Sequence, residues 1–329
     1  MKRTETVLDT DTVTQTEILS EREENLRLLK KERKKGLKRW DTIFVISMLL
    51  VPLIIFINGW VFVNLNSILM AFQLPSGKWS MDSIRLVFEG FKGTTLDKDF
   101  AISTALANTG LWFLKSTITL PFQLLVAYFL YKKIAGYKIF QVILYLPSIV
   151  SAVAMASMFS NFVAPTGPLG EILKAMGVSP VPKFLADSDY AMLTLMFYST
   201  WLGWGGNMLL LGGALARIPL EILESARLDG AGTFREFTTF IIPLVWGTMS
   251  TLFILSMTNI FGEVGPVMLF TKGDYETATM GYWIYYKVSV GGISAYNEVA
   301  AVGLLLTVLV VPVVMFVRWL IEKIPVVDY

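Results

Sequence analysis

Six apolar runs, each long enough to cross a bilayer, divide this chain of 329 residues. They lie near 42–64, 105–131, 139–163, 190–216, 238–262 and 299–321. A hydrocarbon core about 30 Å thick takes about 20 helical residues to span, and a helix satisfies its own backbone there. The pattern predicts an all-α integral membrane protein with six transmembrane helices. Composition agrees, since 54% of the residues are hydrophobic and only 16% are charged. A surface that apolar needs lipid as its solvent.

The placement of charge predicts orientation. "KKERKKGLKR" (30–39) carries seven basic residues and one acid just before the first run. Basic residues flanking a span stay in the cytoplasm, so the N-terminus is expected inside. Threading six crossings from there returns "YKKIAGYK" (131–138), with three lysines and no acid, to the same side after the second. They also put the segment around 220–237 and the C-terminus there. A cleavable signal would bring its apolar run closer to Met1, so the first run reads as a retained anchor. Residues 1–40 are expected to form a polar, basic cytoplasmic extension. Residues 41–104 supply the first span and an external segment, and 105–329 the core. The stretch 18–40 has the spacing of a charged amphipathic helix at the membrane surface.

Whole classes of chemistry are disfavoured. The chain has no cysteine and no histidine, which weighs against disulfide frameworks, zinc enzymes and histidine-based hydrolases or proton relays. No metal site is expected, and nothing suggests a nucleic-acid partner.

Between the fourth and fifth runs lies "ESARLDGAGTFREFTTFIIPL" (224–244). Pro219 suits a helix start, and Glu221 and Glu224 fall near the positive end of that helix. Glu224 can pair with Arg227 one turn on. Gly230 and Gly232 allow a sharp bend, and Thr233 with Glu236 fits a capping box that opens a second helix. A rigid two-helix knuckle with Leu228, Phe234 and Phe237 on its surface follows. Spacing alone also permits an interfacial helix lying on lipid headgroups.

This segment resembles the EAA motif of permease subunits of type I ATP-binding-cassette (ABC) importers. Glu224, Ser225 and Ala226 match the opening triplet, and Asp229, Gly230 and Ala231 the centre. Phe237 matches the usual aromatic and Pro243 the terminal proline. Ser225 and Ile242 are mild departures. "WLGWGGNMLLLGGALARIP" (201–219) is similar to the span before this motif in carbohydrate permeases of the maltose/glycerol-phosphate type. "FGEVGP" (261–266) is similar to an element after the fifth span, with Val264 where glycine is usual. The resemblance covers roughly 105–320.

The resemblance implies the MetI-like permease fold, both termini cytoplasmic, in a bacterial inner membrane. It implies that 220–237 is a coupling helix docked on a dimeric ATPase subunit. A second homologous permease subunit, in a heterodimer, and an extracellular or periplasmic solute-binding protein complete the implied assembly. The chain contains no "GxxxxGK[ST]" phosphate-binding loop, so ATP and Mg are expected on the partner and no cofactor on this chain. It is expected to be a transport subunit and not an enzyme, with a sugar or oligosaccharide as cargo.

Polar residues inside spans are costly and mark candidate sites. Asn207, with Trp201 and Trp204 before it, and Ser256, Asn259 and Glu263 are candidates for the sugar path by resemblance. Interhelical hydrogen bonding and interface anchoring are the alternatives. Lys115, near the middle of the second run, is expected to snorkel outward, the alternative being a carboxylate partner such as Glu263. Gly212, Gly213, Ala214 and Ala216 are expected to let helices approach closely. The rival function is an ion-gradient-driven secondary transporter of a small polar solute. It would call for intramembrane acids or paired broken helices, and neither is clear in the sequence.

Overall fold

A computed structural model describes residues 39–91 and 101–324. Most of the basic extension therefore lies outside the described residues. Among those described, every regular element is helical, with one isolated antiparallel bridge between Gln73 and Trp79. Four helices are long and apolar enough to cross a membrane, and two sharply bent pairs qualify together. Counting each pair as one span gives the six expected.

The chain divides into two compact units, Met1–Asn66 and Ser67–Tyr329. In the first, α1 (Arg39–Phe56) runs through a π turn (Ile57–Phe62) into the start of α2 (Val63–Ala71), the rest of which, from Ser67, belongs to the second. The first unit's outward side chains are apolar, among them Phe44, Ile55 and Phe62. Two amides in this greasy rod are satisfied locally. Asn58 donates to the Ile54 carbonyl at 3.0 Å and Asn64 to the Trp60 carbonyl at 2.6 Å. Each bond reaches back one turn, so neither amide faces lipid unpaired.

After the end of α2, the second unit continues with α3 (Asp82–Phe91) and α4 (Ile102–Tyr131), the latter about 45 Å long at the α-helical rise. Then come α5 (Tyr137–Ile149), α6 (Ala152–Val163), α7 (Pro168–Ala175) and α8 (Ala191–Leu215). The knuckle helix α9 (Leu220–Leu228) is followed by the helical turn Thr233–Arg235, the π turn Glu236–Ile241 and α10 (Ile242–Thr258). Last are α11 (Gly265–Phe270), α12 (Met280–Gly291) and α13 (Tyr296–Glu322).

The third apolar run is not one straight helix, as the sequence had suggested. The stretch Tyr137–Ile149 meets Ala152–Ala175 at 114°. Val150 and Ser151 are both extended, with ψ of 150° and 132°, and Pro147 has already removed a backbone donor nearby. Apolar residues continue on both sides of the break, which is why hydropathy does not reveal it.

The helix α8 packs on α4, α5 and α10, and α4 on α10. It comes close to α5 at Gly205, where an added methyl would run into the Ser148 side chain. The expected close-packing glycines, Gly212 and Gly213, have nothing within 4 Å of such a methyl. Ala214 is buried in the core, but Ala216 is exposed.

Buried amides and hydroxyls fix the segments outside the spans. Asn108 donates to the carbonyls of Glu276 at 2.6 Å and Ala278 at 2.8 Å. Thr109 accepts from the Met280 amide at 2.9 Å. Asn297 ties the carbonyls of Met70 and Gln73 to the start of α13. Each bond joins residues distant in sequence and meets the rule that a buried polar group must be partnered.

Candidate functional site

Three helices, α4, α8 and α10, leave a cavity of about 390 Å³ between them. Its wall is unusual for an apolar bundle. From α4 come Trp112, Phe113, Lys115, Ser116, Thr119 and Gln123, and from α8 come Ser199, Thr200, Gly203 and Asn207. Ser256, Asn259 and Glu263 complete the wall at and beyond the end of α10.

The α4 residues 115, 116, 119 and 123 recur at helical spacing and form one polar stripe. Asn207 donates to Gln123 Oε1 at 2.9 Å, which joins the stripe to α8. Lys115 Nζ donates to Ser199 Oγ at 2.9 Å and lies 4.4 Å from the centre of the Trp112 ring. Lys115 thus turns into the cavity instead of snorkelling outward, because α8 offers a hydroxyl and α4 an aromatic face. Glu263 lies on the same wall, and its backbone carbonyl accepts a bond from Thr279 at 3.0 Å. One cation, one carboxylate, three amides and several hydroxyls therefore face a shared space.

Of the sequence-predicted path residues, the structure brings together Asn207, Ser256, Asn259 and Glu263. It does not bring Trp201 or Trp204 to them. Trp201 packs with Met155, Phe159 and Tyr198, and Trp204 packs in the core around Leu211 and Leu215. At about 100° per residue these rings sit about 120° and 60° round α8 from Asn207. The aromatic surfaces in the cavity are Trp112 and Phe113. Gln123, Ser116, Thr119, Ser199 and Thr200 were missed from sequence, although the stripe on α4 was there to be read.

The knuckle takes shape at the far end of α8. The chain bends by 75° between Ala191–Leu215 and Leu220–Leu228. Pro219 is the residue before the helix, at ψ 133°, and Leu220 starts it. Gly230 then adopts φ +77°, a conformation that costs a side-chain-bearing residue about 1–2 kcal/mol. Glu224, Ser225 and Asp229 are exposed, Ala226 is buried, and Ala231 is partly covered.

Two local expectations are corrected. Thr233 and Glu236 do not form a capping box, since Gly232 is the cap residue and no side chain caps the helix. Nor does Arg227 turn to Glu224. Arg227 Nε reaches Glu236 Oε2 at 3.4 Å, and Lys132 Nζ reaches the same oxygen at 3.1 Å. The bond from Glu236 raises the Arg227 pKa further. Burial alone would lower that of Lys132, but its contacts with Tyr128 and Glu236 outweigh burial and raise it.

Leu228 is 89% exposed and Phe234 81%. Phe237 instead turns inward, with its ring 5.3 Å from that of Tyr128. Pro243 cannot donate to the carbonyl four residues back, and the preceding turn takes π spacing, with the Ile242 amide bonding Phe237 O.

Residues 120–324 match the family described as "Binding-protein-dependent transport system inner membrane component". The chain is 27% identical over 271 residues to the "Probable ABC transporter permease protein YurN" of Bacillus subtilis, covering 79% of this chain and 91% of that protein. It is 28% identical over 225 residues to the galactooligosaccharides transport system permease protein GanP of the same organism, covering 64% of this chain and about half (53%) of GanP. The fold superposes with a TM-score of 0.71 on a chain from a crystal structure of a bacterial ABC transporter involved in import of the acidic polysaccharide alginate. That match has 21% identity and covers 91% of this chain and 99% of the other. With more than half of its length matched, including the cavity-lining part of α8, the knuckle and α10, the chain belongs to the family of inner membrane components of binding-protein-dependent transport systems.

Proposed function

We propose that this chain is one of two homologous permease subunits of an ATP-driven importer in a bacterial inner membrane, and that its cargo is a sugar or oligosaccharide. The cavity among α4, α8 and α10 carries this reading. Its volume lies at the lower end of small-molecule sites. Amides, hydroxyls and two charged groups can bond sugar hydroxyls, while Phe113 offers a face to a ring. Substrates of similar proteins support the cargo class, namely galactooligosaccharides for GanP and alginate for the structural neighbour.

In this reading both termini and the knuckle face the cytoplasm. A dimeric ATPase that holds ATP and Mg docks on 220–237, and a solute-binding protein delivers cargo from outside. The second permease subunit supplies the other half of the path. Residues 1–40 form the cytoplasmic extension and 105–329 the permease core.

Reconstitution of the chain with its companion permease, ATPase and binding protein in proteoliposomes tests this. Uptake of an oligosaccharide captured by the binding protein should require ATP on the ATPase side. Asn207→Leu, which strands Gln123 and removes a donor, should cut uptake by about 10-fold to 100-fold with assembly unchanged. Uptake driven by a proton or sodium gradient without the ATPase would overturn the reading.

A further inference from the structure

Among the described residues Glu236 is the single fully buried acidic side chain, at 1% exposure. It stands where three elements meet. Lys132 directly follows α4, Arg227 is in the last turn of α9, and Glu236 opens the π turn that leads into α10. Both cations converge on Oε2, at 3.1 Å and 3.4 Å. Lys132 Nζ also lies 4.9 Å from the centre of the Tyr128 ring, and Tyr128 is fully buried against Phe237. One carboxylate thus bolts the knuckle helix to two of the three cavity-forming spans.

Stability alone is a weak reason for such a group. Desolvating the Glu236 carboxylate is expensive even with Lys132 and the half-exposed Arg227 beside it, and apolar residues of similar volume often serve as well or better. What the ions add is direction. The knuckle is joined covalently to α8 through a 75° bend and to α10 through the glycine turn at Gly230. No covalent link runs from α9 to α4. Apolar contact through Leu223 also bridges α9 to this core, but such contact is non-directional and permits sliding.

We propose that Glu236 is a positioning residue for coupling: the Lys132–Glu236–Arg227 clasp locks α9 to the adjacent ends of α4 and α10. A displacement of α9 is then delivered to the cavity walls instead of being absorbed at Gly230. This rests on the reading above that α9 receives work from an ATPase.

The chain contains no cysteine, so a reporter thiol in it can be assigned against the unsubstituted chain. Ser116→Cys places one in the cavity. In the full complex in proteoliposomes, its labelling rate by a membrane-impermeant maleimide is measured with and without trapping of the ATPase by ATP, Mg and vanadate. With the clasp intact, trapping should change the rate. With Glu236→Gln the response should fall by about tenfold, within the usual range for coupling between two sites. Assembly and ATP hydrolysis should persist, and Glu236→Asp should restore part of the response.

If Glu236→Gln fails to assemble, the apolar set Lys132→Met, Arg227→Met and Glu236→Leu fills the space without charge and should show the same loss. A wild-type response in either background overturns the clasp while leaving the transport reading intact. A reporter indifferent to trapping even with the clasp intact overturns the transport reading and the clasp with it.

Discussion

Single residues decide where this molecule is tight and where it is wet. The costly polar residues were legible because an amide or carboxylate in an apolar run stands out, and Asn207, Asn259 and Glu263 do line one cavity. Apart from Ser256, the hydroxyls were not legible, because each can hide its donor in its own helix. Thr119 donates to Lys115 O at 2.6 Å and Thr200 to Met196 O at 2.7 Å. Only their place on a shared face betrays them. The two tryptophans lie away from this cavity because nearness along a helix is not nearness around it. Glycines carry the same lesson, and a paired substitution checks it. Gly205→Ala forces its methyl into Ser148 and should destabilise by about 1–3 kcal/mol from overpacking. Gly206→Ala meets nothing within 4 Å, and helix propensity should make it neutral or stabilising by about 0.5–1 kcal/mol. Thermal unfolding of the purified variants in detergent should rank them in that order, and equal midpoints would remove the close approach of α5 and α8.

At the scale of elements, the knuckle was readable and its fastenings were not. Pro219, Gly230 and Pro243 are local signals, and each sits at a bend or break in the structure. The capping box failed because Glu236 found better partners in Lys132, 104 positions away in sequence, and Arg227. Tertiary pairing outbid a local motif, which spacing cannot foresee. The 114° break between α5 and α6 was equally hidden, since both arms are apolar. The turn at Gly230 offers a direct test. Its φ of +77° is open to glycine, while Gly230→Val would carry strain of about 1–3 kcal/mol there. The chain should still insert, because no span is touched. Protease cleavage at 229–232 in membrane vesicles should accelerate, and ATP-dependent uptake should fall. Unchanged cleavage and uptake would show that the positive φ is not needed.

For the whole molecule, six crossings could be counted but not arranged. Nothing in the sequence brings Lys115 to Ser199 or Asn108 to the carbonyls near 277; those pairings are set by helix packing across 84 or more positions. Assembly belongs to this scale too. Leu228 and Phe234 lie on either side of the Gly230 turn and stand almost free of this chain, at 89% and 81% exposure. Large exposed side chains on a rigid, charged knuckle suit a groove in a partner, where a buried anchor can contribute about 2 kcal/mol or more. Leu228→Asp combined with Phe234→Asp should therefore lower retention of the ATPase on the purified permease by about 30-fold or more. A lipid anchor would behave differently. If these side chains only rested among headgroups, the double variant would keep the ATPase bound and would shift only the protection of the knuckle in vesicles. Co-purification at several salt concentrations separates the two cases, because an apolar anchor should resist salt that weakens the contacts of Glu224 and Asp229.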